Sequence, residues 1–197
     1  MADAEMITRP KPGVWELEPA HTSVSFIGRH LGLARVRGRF ADSAARIEVA
    51  DDLDLSTAEF WVEAASVDTG NTMRDNHLRS PDFMNVENYP QIHFVSTKVE
   101  RTGDGPWDVT GDLTIRDVTR PTTFEVELAG VIDDEMYQTQ RAGFSARAEI
   151  NKDDFAMTWN MPLGLGGLVA NKVVVEIDAE ILLTPYVTPQ FPSDEAE

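Results

Sequence analysis

The chain of 197 residues carries 17 Lys and Arg against 34 Asp and Glu, a formal net charge of −17. That balance argues against a sheath around nucleic acid, where phosphate neutralisation needs clustered cations, and against an anionic membrane surface. Hydrophobic residues make up 42%, enough for one domain with one core and too many for a disordered chain, and the absence of Cys removes disulfides, thiolate nucleophiles and Cys-ligated metal clusters.

Residues 1–12 read as a flexible N-terminal segment. The opening MADAEMITRPKPG bears Asp3 and Glu5 and has no apolar stretch of the kind a secretion signal needs, and no run approaches the ~20 apolar residues of a membrane span. The expectation is a soluble cytoplasmic protein. From residue 13 to 184 a single domain is expected, and almost every segment alternates with period two, the pattern of strands with one buried face.

In HTSVSFIG, Val24 and Phe26 alternate with serines, and in RVRGRF, Val36, Gly38 and Phe40 alternate with Arg35, Arg37 and Arg39. The two strands flank a turn at HLGLA, with Gly32 as its flexible point. Further strands are expected at Ala45–Ala50, Ala58–Asp68, Ile92–Glu100, Trp107–Ile115, Thr122–Val131, Ala142–Ile150 and Lys172–Leu183. The joins at 51–56, 102–106, 116–121 and 133–140 are short and rich in Asp, Gly, Pro or Thr, which suits hairpins between antiparallel neighbours. Residues 71–89 differ: TMRDNHLR reads as a short helix, and Ser80-Pro81-Asp82 as a cap followed by proline at a first helical position. Residues 185–197, with three prolines and three terminal acids, read as a mobile tail.

Repeated meander connections favour an all-β, up-and-down antiparallel barrel, because closure removes unpaired edges; a sandwich is the competing architecture. The inward set is Val24, Phe26, Val36, Phe40, Phe60, Val62, Phe94, Leu113, Phe124, Val126, Leu128, Phe144, Ala146, Val173, Val175 and Ile177. On periodicity alone these residues form a packed core; the functional alternative is a tunnel for an apolar chain. Gly38, Gly111 and Ala146 either leave room inside or mark backbone bends.

Polar candidates are few. Arg74, Asp75, Asn76 and His77 gather a cation, a carboxylate, an amide and an imidazole in one helical turn, either as acid–base equipment or as groups that cap the helix and pin its loop. The four histidines show no HxH, HxxxH or HExxH spacing, so no metal site is expected. Asn151, Asp153 and Asp154 lack the remaining ligands of a calcium loop and read as capping groups. Arg35, Arg37 and Arg39 share a strand face with Arg29 and His30 across the turn, either as a solvated face or as an attractor for an anionic head group. Residues 1–40 carry six basic against four acidic side chains, a net +2, whereas the rest of the chain carries −19.

Five blocks in order carry a resemblance. His21-Thr-Ser-Val-Ser-Phe26 with Arg29-His-Leu-Gly32 and Val36-Arg-Gly-Arg-Phe40, then His77-Leu-Arg-Ser-Pro-Asp-Phe83, Tyr89-Pro-Gln-Ile-His-Phe94, Gly111-Asp-Leu-Thr114 with Thr119-Arg-Pro121, and Arg141-Ala-Gly-Phe144 through Asp154-Phe155 resemble the YceI-like family of polyisoprenoid-binding, lipocalin-like proteins. The resemblance implies an extended eight-stranded antiparallel barrel with a helical insert near 71–88, whose apolar interior holds an isoprenoid lipid or quinone for transport or storage, with no catalysis, no cofactor and a possible homodimer. The apolar pocket is then assigned to Val24, Phe26, Val36, Phe40, Phe60, Val62, Phe83, Phe94, Leu113, Phe124, Val126, Phe144, Phe155 and Trp159. The rim or head-group set is Arg29, His30, Arg35, Arg74, Asp75 and His77. Two departures stand out: many relatives are exported, and Glu18 occupies a place where Asp is common. The alternatives are a rim-located enzyme using His77, Asp75 and His30, and an acidic protein-interaction module with a packed core.

Overall fold

A computed structural model describes residues 9–188 except 102, 104, 164 and 165. In chain order its strands are β1 (Gly13–His30), β2 (Ala34–Phe40), β3 (Ser43–Val49), β4 (Thr57–Glu63), β5 (Val67–Asp68), β6 (Gln91–Arg101), β7 (Trp107–Ile115), β8 (Val118–Asp134), β9 (Thr139–Asn151), β10 (Pro162–Leu163), β11 (Gly166–Gly167) and β12 (Lys172–Leu183), with one α-helix, α1 (Thr72–Arg79), between β5 and β6. The order β12-β9-β8-β7-β6-β4-β3-β1 closes on itself because β1 also pairs with β12, giving an eight-stranded antiparallel barrel. The strand β1 is shared lengthwise: Gly13–Glu16 pair with β3 and Val24–His30 with β2. Likewise β5 carries on from β4 and pairs with β2.

Several boundaries differ from the periodicity reading, each for a physical reason. Strand β1 begins eight residues before His21: Trp15 and Leu17 are buried in alternation with exposed Glu16, and the register shift between Glu18 and Ser23 accommodates Pro19 as a bulge. Strand β8 includes the Thr-Arg-Pro stretch read as a join, so that the turn shrinks to Arg116 and Asp117. Pro121 is tolerated because β9 pairs with β8 only from Glu125 onward, leaving residues 118–124 an open edge on that side, where no donor is needed. The single strand expected over 58–68 is split by a 3-10 turn at Ala64–Ser66, closed by Ser66 Oγ donating to the Glu63 carbonyl at 2.6 Å.

The helix falls where TMRDNHLR places it, capped by Asn71, whose side chain accepts from the Arg74 amide. No second helix starts at Ser80. Ser80 instead ends α1, and the chain folds back as Phe83 N donates to Ser80 O and Met84 N to Leu78 O. Of the two terminal segments, residues 1–8 and 189–197 lie outside the described residues. The described ends are held to the barrel: the Trp15 indole donates to Lys11 O at 3.0 Å, and Val187 N donates to Tyr137 O at 3.0 Å.

Candidate functional site: the barrel cavity and its rim

Strand alternation turns one face of every wall strand inward, and the inward faces enclose a cavity of about 1410 Å³. This exceeds the ~300–1,000 Å³ typical of small-molecule sites. All sixteen residues of the inward set line it, from Val24 and Phe26 through Phe94 and Phe124 to Val175 and Ile177, and Phe83 and Trp159 join them. Phe155 does not: it is 2% exposed and packs in the core from the Lys152–Phe155 turn. The lining reaches both ends of the barrel, with Pro10, Leu53 and Trp107 at one and Gly28, Met73 and Leu168 at the other.

The inward glycines are explained by neither of the two sequence readings. A Cβ on Gly38 would lie 2.3 Å from Phe26 Cζ, and one on Gly111 would lie 2.5 Å from Phe94 Cζ. The ring of a phenylalanine therefore occupies the place where each glycine's Cβ would stand, an arrangement that restores packing where a strand lacks a side chain. Those rings then form tilted or edge-on pairs with the next aromatics, Phe26 with Phe40 at 5.5 Å and Phe94 with Phe124 at 5.1 Å.

At the rim, the polar groups of α1 split between two tasks. Asp75 is buried and faces Thr69, accepting from its amide at 2.9 Å and its hydroxyl at 2.5 Å, so it pins the loop before the helix and does not line the cavity. Arg74 lines the cavity while donating to Thr69 Oγ1 and O. His77 also lines it, with Nε2 2.9 Å from Asp82 and its ring edge-on to Phe83 and Trp159.

The arginine strand divides as well. Arg37 pairs with Glu176 at 3.6 Å and Arg39 with Asp68 at 3.2 Å on the outer surface. Arg35 stands directly across from Arg29 in the β1–β2 ladder; the Arg29 carbonyl accepts from Ala170 N at 2.9 Å, but among the described residues neither guanidinium has a hydrogen bond or ion pair. Arg29 and His30 line the cavity mouth; Arg35 does not.

The segment 156–170 carries no strand alternation, and sequence reasoning passed over Met157, Leu168 and Val169, which line the cavity. Its organiser is Lys152, 3% exposed, whose Nζ donates to Met157 O at 2.7 Å, Asp153 Oδ1 at 2.8 Å and Trp159 O at 3.3 Å. A buried cation flanked by acids just ahead of an apolar Met-Thr-Trp stretch was the available signal. Asn151 caps this turn by accepting from Asp153 N.

A separate charged cluster closes the wall between β1, β8, β9 and β12. Arg141 lies 2.7 Å from Asp134, 2.5 Å from Glu180 and 4.0 Å from Glu18. Burial pushes the Glu18 carboxyl upward, but hydrogen bonds from the His21 ring and from the His21 and Ala20 amides outweigh it and hold the group below its usual value. Asp134 is held low in the same way, its burial outweighed by the Tyr137 amide and Arg141, and Arg141 is held high by its two carboxylate partners against its own burial. Glu18, His21 and Glu180 bring three donor atoms within 4.8 Å of one another, but the guanidinium of Arg141 already compensates that site. His77 and His93 pair with other carboxylates, Asp82 and Glu59.

Comparison with known proteins places this geometry. A sequence profile described as the YceI-like domain matches residues 15–181. The chain is 40% identical over 144 residues to Protein YceI of Escherichia coli, covering 70% of this chain and 72% of that one. A crystal structure of the Campylobacter jejuni YCEI protein superposes with a TM-score of 0.67 at 29% identity, covering 78% of this chain and 88% of that one. A polyisoprenoid binding domain from Saccharophagus degradans, implicated in plant cell wall breakdown, shares the fold with a TM-score of 0.63 at 14% identity, over 88% of this chain and 99% of that one. By the length of the profile match and the identity to its relatives, the chain belongs to the YceI-like domain family.

Proposed function

We propose that the protein is a non-enzymatic carrier that holds the hydrocarbon tail of an isoprenoid lipid or quinone inside the barrel, for transport or storage. The observation that carries this reading is the continuous apolar cavity of about 1410 Å³; the isoprenoid class is supported by the polyisoprenoid binding domain that shares the fold. At ~0.8 kcal/mol per buried CH₂, each five-carbon unit supplies roughly 4 kcal/mol gross. A few units offset the ~4–15 kcal/mol that association costs. The polar head then sits at the mouth, where Arg29, His30, Arg74 and His77 line the opening and the uncompensated Arg35 stands beside Arg29. A module that only binds partners through its acidic surface has no use for a hollow interior. A rim enzyme using His77 and Asp75 is disfavoured by the side chain of Asp75, which is committed to Thr69.

Organic extraction of the natively purified protein followed by mass spectrometry tests the reading. A prenyl lipid or quinone recovered in stoichiometric amount is the expected result. Reproducible absence of any lipid, together with no binding of prenyl quinones by the extracted protein, would overturn it.

A further inference from the structure

Three segments meet at the mouth that holds Arg29. Leu31 N donates to Leu168 O at 2.9 Å, joining the β1–β2 turn to the 156–170 segment. The ring contact of Trp159 with His77, centroids 4.5 Å apart, joins that segment to α1. Four large apolar side chains of this joined rim are exposed: Leu33 81%, Met73 84%, Met161 51% and Leu31 43%. Leu31 sits at φ 54 ahead of Gly32 at φ 68, in a turn where both central positions favour Gly, Asn or Asp. A leucine there costs backbone energy and still leaves 43% of its surface exposed, an apolar group presented outward by a turn that would hold Gly, Asn or Asp at less cost.

Two cations meet beside this rim on a chain of net charge −17. Arg29 and Arg35 face each other across the ladder, and like charges so placed destabilise a strand pair unless an anion lies between or above them. The opposite end of the barrel bears Asp51, Asp52, Asp54, Asp133 and Glu135 around its turns. The end where the cavity opens beside α1 therefore holds the Arg29–Arg35 pair and exposed apolar side chains together, with Asp82 on the same rim engaged by His77 at 2.9 Å. That combination matches a bilayer whose surface carries anionic phospholipids: the arginines meet head groups, and the leucines and methionines enter the acyl boundary. No helix of the described residues is long and apolar enough to cross a membrane.

We propose that this rim, built from Leu31, Leu33, Met73 and Met161 beside Arg29 and Arg35, docks the cavity mouth onto an anionic phospholipid bilayer. The inference rests on the carrier reading, since docking there sets the opening against the layer from which an isoprenoid tail is taken.

The test uses the full chain in co-sedimentation with phosphatidylcholine vesicles, with and without phosphatidylglycerol, at low and high salt. Binding is expected to require phosphatidylglycerol and to weaken with salt. It should fall roughly tenfold or more in Leu33→Ser with Met161→Ser. Neither of those two residues lines the cavity, so the double variant should keep its melting temperature and its affinity for farnesol in solution, followed by tryptophan fluorescence. No binding to vesicles of either composition, binding that ignores the double substitution, or equal binding to neutral vesicles overturns the proposal. So does a dimer in light scattering that the same substitutions convert to monomers while no vesicle binding is seen, because a second copy then covers the rim. Loss of farnesol binding with vesicle docking intact would leave the docking surface standing and refute the carrier reading alone.

Discussion

The imidazole of His77 meets the indole of Trp159 edge-on, with centroids 4.5 Å apart and planes at 84°. Phe83 takes the same imidazole edge-on at 5.0 Å. The three rings tie α1 to a segment whose own ladder is the two-residue β10–β11 pair, and all three line the cavity. His77→Ala removes two ring pairs, each worth about 0.5–1.5 kcal/mol. A loss of about 1–3 kcal/mol in urea unfolding is expected, with faster release of a bound prenyl probe in stopped-flow. An unfolding midpoint and a release rate both equal to those of the wild type would show that the rings do not latch the rim.

Glycines 38 and 111 should respond differently to alanine, although both lie under phenylalanines. At Gly38 the added methyl meets the far end of the Phe26 ring and a Thr69 methyl, side-chain atoms of which the ring end can swing into the cavity. At Gly111 it also meets the Val95 carbonyl oxygen at 2.3 Å, which is backbone and cannot. Gly111→Ala is expected to cost about 1–3 kcal/mol. Gly38→Ala should cost less and narrow the cavity, seen as weaker binding of the bulkier prenyl probes. Equal costs would contradict the distinction between ring and carbonyl.

Ala146 points into the cavity from β9, between Val126 of β8 and Ile177 of β12. In a close-packed core, Ala→Phe would overpack by roughly 1–3 kcal/mol. Facing open volume, Ala146→Phe is expected to leave the melting temperature nearly unchanged while shortening the longest chain bound, as read by mass spectrometry of the extracted lipid. A large fall in melting temperature would mean that the volume is not free.

Arg141 is the common partner of Asp134 and Glu180, with Glu18 beside them. Removing it leaves the mostly buried Asp134 and Glu18 carboxylates, and the partly exposed Glu180, without their cation. Breaking such a cluster from one side typically costs about 3–5 kcal/mol when the pair is fully buried, so Arg141→Met is expected to lose about 3 kcal/mol. For a domain of this size that is roughly 6–12 °C in melting temperature. Tyr137, stacked 4.7 Å from the guanidinium, should report the loss in near-ultraviolet circular dichroism.

The same cluster sets an acid limit. Glu18 and Asp134 both have folded-state values below the usual carboxylate range. Groups depressed in this way bind protons more readily when unfolded, so their stabilisation is complete above about pH 4–5 and disappears as pH falls through the depressed values. Melting temperatures followed from about neutral to about pH 3 should decline, and Arg141→Met should decline less steeply because it has already lost part of that term. Parallel declines would place the acid sensitivity elsewhere.

What the sequence made legible was whatever repeats with the pleat. Val24, Phe26, Phe94, Phe124 and Val175 sit on alternating positions, and all of them face the cavity. What it hid was decided across strands. Whether Gly38 meant space depended on where the Phe26 ring came to rest, and whether Pro121 could sit in a strand depended on β9 being absent alongside it. The four arginines looked alike until Glu176 and Asp68 claimed Arg37 and Arg39 and left Arg29 facing Arg35. A global charge of −17 concealed that local excess. Met157, Leu168 and Val169 obey no period because the buried Lys152 ammonium, rather than a strand ladder, shapes the first part of their segment.

The barrel is sealed by β1 lying against β12, where Trp15 pairs with Leu183 and Thr184 donates to Val14 O across 170 residues of chain. Every other pairing in the closed ring joins strands that are near neighbours along the chain, so the seam is the contact with the greatest loop-closure cost and the natural last step of folding. Until it forms, β1 and β12 are bare edges and the interior is an open apolar trough. The hollow therefore comes into being all at once, when β1 meets β12, and loss of either strand would open the barrel rather than shorten it.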